Sequence, residues 1–138
     1  MRTELSIAGI TWHRLVEPTG SELAAVARDV PMEAADAALL GEDLTRTALM
    51  KQATYELLRV EVPVFDRKLR ASFGVALDCV VLPDQLITLQ ARPIPVLEKL
   101  VAGLERTSGQ ELGVTLTGPA DLLKYLMRQI HQGTLRKL

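Results

Sequence analysis

Few side chains in this 138-residue sequence are suited to chemistry, and the most suggestive are the adjacent carboxylates Glu42 and Asp43. They follow Gly41 at the end of an alanine-rich stretch that reads as a helix. A carboxylate there gains nothing from the helix dipole, which is negative at its C-terminal end. Its charge must be met by water, a basic neighbour or a cation. Carboxylate oxygens suit hard divalent cations, but such ions take about six oxygen ligands, so two carboxylates alone make a weak site. A solvated turn is the plainer account of the pair, because charged residues normally sit in water.

The other candidates are weaker. His13 and His131 are the only histidines and lie far apart, with no second imidazole at ligand spacing. Each reads as a surface or boundary residue. Cys79 is the single cysteine and sits in an apolar run, where a thiol is an inert core group. A nucleophile would need an exposed setting that depresses its pKa, and nothing nearby supplies one. One cysteine also excludes an intramolecular disulfide and a cysteine-based zinc cluster. Trp12, the lone tryptophan, reads as a core anchor and not as a stacking platform. There is no phosphate-binding glycine loop with its lysine and no dinucleotide fingerprint.

Composition narrows the class further. Apolar residues make up 48% of the chain and charged residues 24%, the balance of a packed domain with a solvated surface. The formal net charge is -1, which disfavours a nucleic-acid binder. Charge is uneven: residues 1–90 carry 9 basic and 13 acidic side chains, residues 91–138 carry 7 and 4. The basic C-terminal stretch suits an acidic partner or an anionic surface, or is an ordinary solvated helix face. No apolar run approaches the roughly 20 residues of a membrane-spanning helix. The first residues lack the apolar stretch of a secretion signal, so a soluble cytoplasmic domain is expected.

The elements that must hold these residues follow from periodicity. A strand is expected over roughly residues 3 to 14. Thr19 followed by Glu22 fits a capping box, opening a helix whose stripe is Leu23, Val26, Ala27 and Val30. Pro31 ends it, and Met32, Ala35 and Leu39 share the face of a second helix closed near Gly41. Residues 42 to 54 are ambiguous: Glu42, Asp43 and Leu44 leave the helix end, and Thr45 to Gln52 fit either a short strand or a helical turn. Leu58, Val60, Val62 and Val64 alternate with Arg59 and Glu61, a strand that Pro63 places at an edge or near its end. Val75 to Leu82, broken only by Asp78, reads as a central strand. Pro83-Asp84-Gln85 turns it into Leu86 to Ala91, forming a hairpin. Leu97, Leu100, Val101 and Leu104 then take helical spacing. Thr117-Gly118-Pro119 opens a last helix striped by Leu122, Leu123, Leu126, Met127 and Ile130. The expected fold is α/β, a mixed sheet flanked by helices in a layered α/β/α domain. Its boundaries are 1–118 for the domain and 119–138 for the C-terminal helix.

Five stretches taken in order carry a resemblance. They are Trp12 with Leu15, Pro18-Thr19 and the helix at Leu23; Leu39-Leu40-Gly41-Glu42-Asp43-Leu44; Tyr55 to Val62; Val75 to Leu89 with its Pro83-Asp84-Gln85 turn and Leu86-Ile87-Thr88-Leu89 strand; and Pro119 to Ile130. In that order and spacing, over nearly all of residues 5 to 132, the chain resembles the cytoplasmic N-terminal domain of the CorA-type magnesium transporters. It departs from that family at Arg46-Thr47-Ala48-Leu49-Met50, where relatives often read Arg-Pro-Lys-Val-Glu. It also lacks the pore signature Gly-Met-Asn, the transmembrane helices and most of the stalk.

The resemblance implies a soluble, Mg²⁺-sensing regulatory domain of a homopentameric divalent-cation transporter. Its parent would sit at the cell membrane with this domain on the cytoplasmic face. The chain would conduct no ion itself, would not be an enzyme, and would meet the membrane only through the missing C-terminal part. Asp43 matches one carboxylate of a weak intersubunit Mg²⁺ site, Glu42 would assist through water, and the partner is the neighbouring subunit. Three other readings stand beside this one. They are the equivalent domain of a zinc-transporting relative, a stand-alone α/β interaction domain that binds through its last helix, and, last, a small enzyme.

Overall fold

A computed structural model describes residues 1–40, 47–107 and 115–137. The sheet begins with a hairpin where one strand was expected. β1 (Arg2–Ile7) and β2 (Ile10–Val16) pair antiparallel, with Leu5 opposite Trp12 and Ile7 opposite Ile10. The reversal uses two residues, Ala8 and Gly9, both with positive φ (51° and 81°). Such a turn matches the twist of the flanking strands. A single Gly between apolar residues is a weak signal for it, which is why the stretch reads as one strand.

Helix α1 (Gly20–Asp29) starts at the expected capping box. The Thr19 hydroxyl accepts from the Glu22 amide at 3.2 Å, and the Glu22 carboxylate accepts from the Thr19 amide at 2.9 Å. Helix α2 (Ala34–Leu39) is shorter than its apolar spacing suggests and has no side-chain cap. Within the ambiguous stretch, Ala48–Lys51 form a strand, β3. β4 (Glu56–Asp66) and β5 (Ala71–Val81) form a long hairpin, and β6 (Gln85–Gln90) returns beside β5. Helices α3 (Pro95–Thr107) and α4 (Pro119–Lys137) follow.

The six strands lie in the order β1-β2-β6-β5-β4-β3. All neighbouring pairs are antiparallel except β2 and β6, which makes the sheet mixed. Alternation along each strand sends side chains to two cores. Trp12, Leu77, Cys79 and Leu86 meet Leu97, Val101 and Leu104 of α3 and Leu122, Leu126 and Ile130 of α4. On the opposite face Leu15, Leu57, Val80, Ile87 and Leu89 meet Val26 of α1 and the ends of α1 and α2. The result is the expected α/β/α layering. Pro63 sits on the part of β4 beyond β3, which pairs only with residues 56–59. There the missing amide of proline costs no ladder bond on that side.

Candidate functional site

Glu42 and Asp43 lie outside the described residues. What the structure shows is how the chain leading to them is fixed. The preceding helix, α2, is only six residues long, and a helix that short is unstable without tertiary support. Support comes from two buried polar groups that tie α2 to the residues between β3 and β4 and to the strands β4 and β5.

The first group centres on Asp36, a helix residue that is buried although charged. Its Oδ2 accepts from the Tyr55 hydroxyl at 2.6 Å and from Gln52 Nε2 at 3.2 Å. The Tyr55 oxygen in turn accepts from the Glu33 amide at 3.0 Å, serving one of the free donors at the start of α2. Burial, and then the bond to the Asp36 carboxylate, raises the Tyr55 phenol above its ordinary value of 10.0. The neutral phenol is the form that can donate to Asp36.

The second group is an ion pair. Arg59 and Asp78 stand opposite each other in the β4–β5 register. Arg59 Nε donates to Asp78 Oδ1 at 2.5 Å and Nη2 donates to Oδ2 at 2.8 Å, a bidentate pair with both side chains almost fully buried. The same guanidinium donates to the carbonyl of Leu39, the last residue of α2. A cation there satisfies an acceptor that the helix leaves open and opposes the negative end of its dipole. Leu40, the next residue, is itself buried. The point at which the chain departs toward Glu42 and Asp43 is therefore set by side chains from β4 and β5. The sequence reading put Arg59 with Glu61 on the polar side of its strand. The overlooked signal was Asp78, an acid inside an apolar run whose burial demands a basic partner.

The remaining candidates fall where expected or nearly so. Trp12 is fully buried and its indole Nε1 donates to Thr88 Oγ1 at 2.9 Å, a core anchor. Arg14 lies over the Trp12 ring, 5.7 Å from its centroid, and donates to Glu98 of α3 at 2.7 Å. Cys79 is fully buried, and that burial, with Asp78 beside it, pushes its thiol pKa far up. His13 is half-buried, 4.0 Å from Glu4, and His131 is exposed on α4. An open cleft of about 380 Å³ lies between Tyr55, Pro83 and the start of α4. Glu56 and Asp121 are its carboxylates, and Asp121 is occupied internally, accepting from the Thr117 amide at 3.0 Å and hydroxyl at 2.5 Å. Among the described residues no three His, Cys, Asp or Glu side chains gather as a metal site. What the arrangement achieves is positional: it holds α2 and the chain up to Leu40 against the sheet.

No protein-family model matches the sequence, and no curated protein matches it. Solved structures do. The complete CorA magnesium transporter from Methanocaldococcus jannaschii superposes with a TM-score of 0.72 at 14% identity, over 92% of this chain and 38% of that one. The full-length CmaX protein gives 0.71 at 18% identity, over 89% of this chain and 36% of that one. The ZntB cytoplasmic domain from Vibrio parahaemolyticus gives 0.63 at 15% identity, over 91% of this chain and 47% of that one. The chain thus has the fold of a CorA-like cytoplasmic domain and spans less than half the length of each of these proteins. Among the described residues no helix is long and apolar enough to cross a membrane.

Proposed function

We propose that this chain is the cytoplasmic regulatory domain of a homopentameric divalent-cation transporter, and that Asp43, aided by Glu42, senses Mg²⁺ at the contact with a neighbouring subunit. The observation that carries the reading is the likeness of the whole fold, helices and mixed sheet together, over 92% of the chain to a magnesium transporter. The donor chemistry fits. Adjacent carboxylates supply hard oxygen ligands, and two residues from one chain leave most of a Mg²⁺ coordination sphere to water and to a second subunit. When bound, the ion supplies positive charge between carboxylates that would otherwise repel across the interface.

The chain's own residues do the rest. Arg59 holds the end of α2, and Tyr55 and Gln52 hold Asp36. These bonds hold α2, which ends at Leu39 just ahead of Asp43, so less ordering entropy of that helix is lost when subunits meet. A site shared between chains and retaining water is weak, which suits a sensor of millimolar ion. In this reading the isolated chain binds Mg²⁺ weakly or not at all.

A second reading, the same domain in a zinc-transporting protein, is favoured by the likeness to ZntB. Ion selectivity resides in pore-lining groups outside this chain, so flux decides. The product of the complete reading frame, reconstituted in liposomes, should admit Mg²⁺. Admission of Zn²⁺ but not Mg²⁺ would select the second reading. Liposomes that stay closed to every divalent cation would overturn both.

A further inference from the structure

The β4–β5 hairpin runs past the rest of the sheet. β3 pairs with β4 only at residues 56–59, and β6 pairs with β5 only at residues 77–81. Beyond those points the pairs from Glu61–Ala76 to Asp66–Ala71 form a two-stranded ribbon closed by residues 67–70. Its tip is unlike the rest of the surface. Both phenylalanines of the chain are here and exposed, Phe65 at 52% and Phe73 at 38%, and Leu69 at the turn is 73% exposed. Arg67, Lys68 and Arg70 surround Leu69 and are exposed. The Arg92 guanidinium lies 5.9 Å from the centre of the Phe73 ring. The acid at the tip, Asp66, accepts from the amides of Lys68 and Leu69 at 2.8 and 3.3 Å, so it shapes the turn.

We infer that this ribbon tip is a membrane-contact element that seats Leu69, Phe65 and Phe73 in the interface of an anionic lipid bilayer. Three features select lipid over a protein partner. Phe65 pairs with Ser72 while Phe73 pairs with Val64, so the two rings stand on opposite faces of the ribbon. A flat protein surface would meet one face, whereas a fluid interface covers both. The tip is also short, two strand ends and a four-residue turn, whereas a stable protein interface needs roughly 800 Å² per partner. Finally, an apolar apex ringed by cations is the composition that binds anionic headgroups.

The orientation agrees with the proposed function, on which this one point rests. The start of α4 lines the cleft with Tyr55, Leu82 and Pro83, at the end of the sheet opposite the ribbon. Its Gly133 lies against Val96, just beyond the end of β6. Helix α4 therefore runs toward the ribbon end of the domain, and a chain continuing from it toward a membrane would leave on the side where the tip projects.

The test uses the 138-residue chain and sedimentation with lipid vesicles. Vesicles containing phosphatidylserine should bind it on the order of a hundredfold more tightly than pure phosphatidylcholine, about fivefold for each of three cations. Raising the ionic strength should erase most of that preference. Arg67→Gln should weaken binding about fivefold, and Leu69→Asp should do at least as much, each with unchanged circular dichroism and urea midpoint. Equal binding to both lipids, or variants that bind as wild type, would overturn the inference. So would polyglutamate binding as tight as phosphatidylserine binding and indifferent to Leu69→Asp, which marks an acidic protein partner. Self-association abolished by Leu69→Asp would overturn it in favour of a second copy. Ion flux by the full-length protein is a separate measurement, so either result can fail without the other.

Discussion

Replacing Arg59 with Met tests whether β4 and β5 hold the end of α2. The substitution keeps an unbranched side chain of similar reach and removes the guanidinium. Asp78 would be left with its carboxylate almost fully buried and without the bidentate partner that meets it at 2.5 and 2.8 Å. Breaking a buried pair by removing one partner costs about 3–5 kcal/mol, because the other charge stays uncompensated. Total stability of a domain is about 5–15 kcal/mol, so about a fifth or more would be lost. At this chain length each kcal/mol moves the melting temperature by about 4 °C, and the midpoint should fall by about 12–20 °C. Removing both charges, as Arg59→Met with Asp78→Leu, should recover most of the loss, since apolar replacements of buried pairs are often neutral or better. One deficit should persist. The Leu39 carbonyl still lacks its donor, so amide exchange at Leu40, whose N–H bonds to the Ala37 carbonyl, should stay faster than in wild type. Urea melts and hydrogen exchange on the three proteins decide it. A loss below about 1 kcal/mol in the single variant, or a double variant as damaged as the single, would refute the reasoning.

The remaining expectations are shorter. Leu126 is buried between α4 and the sheet, and Leu126→Ala should cost about 2–5 kcal/mol in urea melts; under about 0.5 would place it in solvent. Cys79 should react with a thiol reagent only as fast as the domain unfolds, because burial keeps it protonated and out of reach. The Tyr55 pKa is raised, so the folded state holds its proton more tightly than the unfolded state; that stabilisation is fully present below pH 10.0 and is lost as pH rises beyond it. Alkaline melts of Tyr55→Phe should therefore lack the part of the decline that begins there. The variant should also be less stable at neutral pH by about 1–3 kcal/mol, because Asp36 loses a donor.

Most of the fold was legible because its elements announce themselves locally. The capping box at Thr19 and Glu22, the alternation from Leu58 to Val64, the Pro83 turn and the stripes of α3 and α4 are all short-range signals. The β1–β2 hairpin was not legible, because its turn is an Ala-Gly pair in which alanine adopts a positive φ that it rarely takes. The β3 strand was undecided, since four residues are too few to show a period. The positioning network was missed for a different reason. Arg59 and Asp78 are 19 residues apart, and only the β4–β5 register makes them a pair. The polar residues of a strand read as solvent-facing unless the layer covering them is known, and here α2 covers them. The acidic pair itself stood out from its position after a helix. Its proposed role depends on a neighbouring subunit, about which no sequence of one chain carries geometry.

The most direct test of the central claim is limited proteolysis of the assembled full-length protein across a Mg²⁺ titration, wild type against Asp43→Asn. The substitution keeps the shape of the side chain and removes one charge. Both the repulsion between subunits and the affinity for the cation should then fall together. The account predicts that Mg²⁺ protects the wild type over a millimolar range. In the variant that protection should lose steepness and amplitude, with ion selectivity unchanged. Identical midpoints and amplitudes in the two proteins would contradict the account and remove Asp43 from any sensing site.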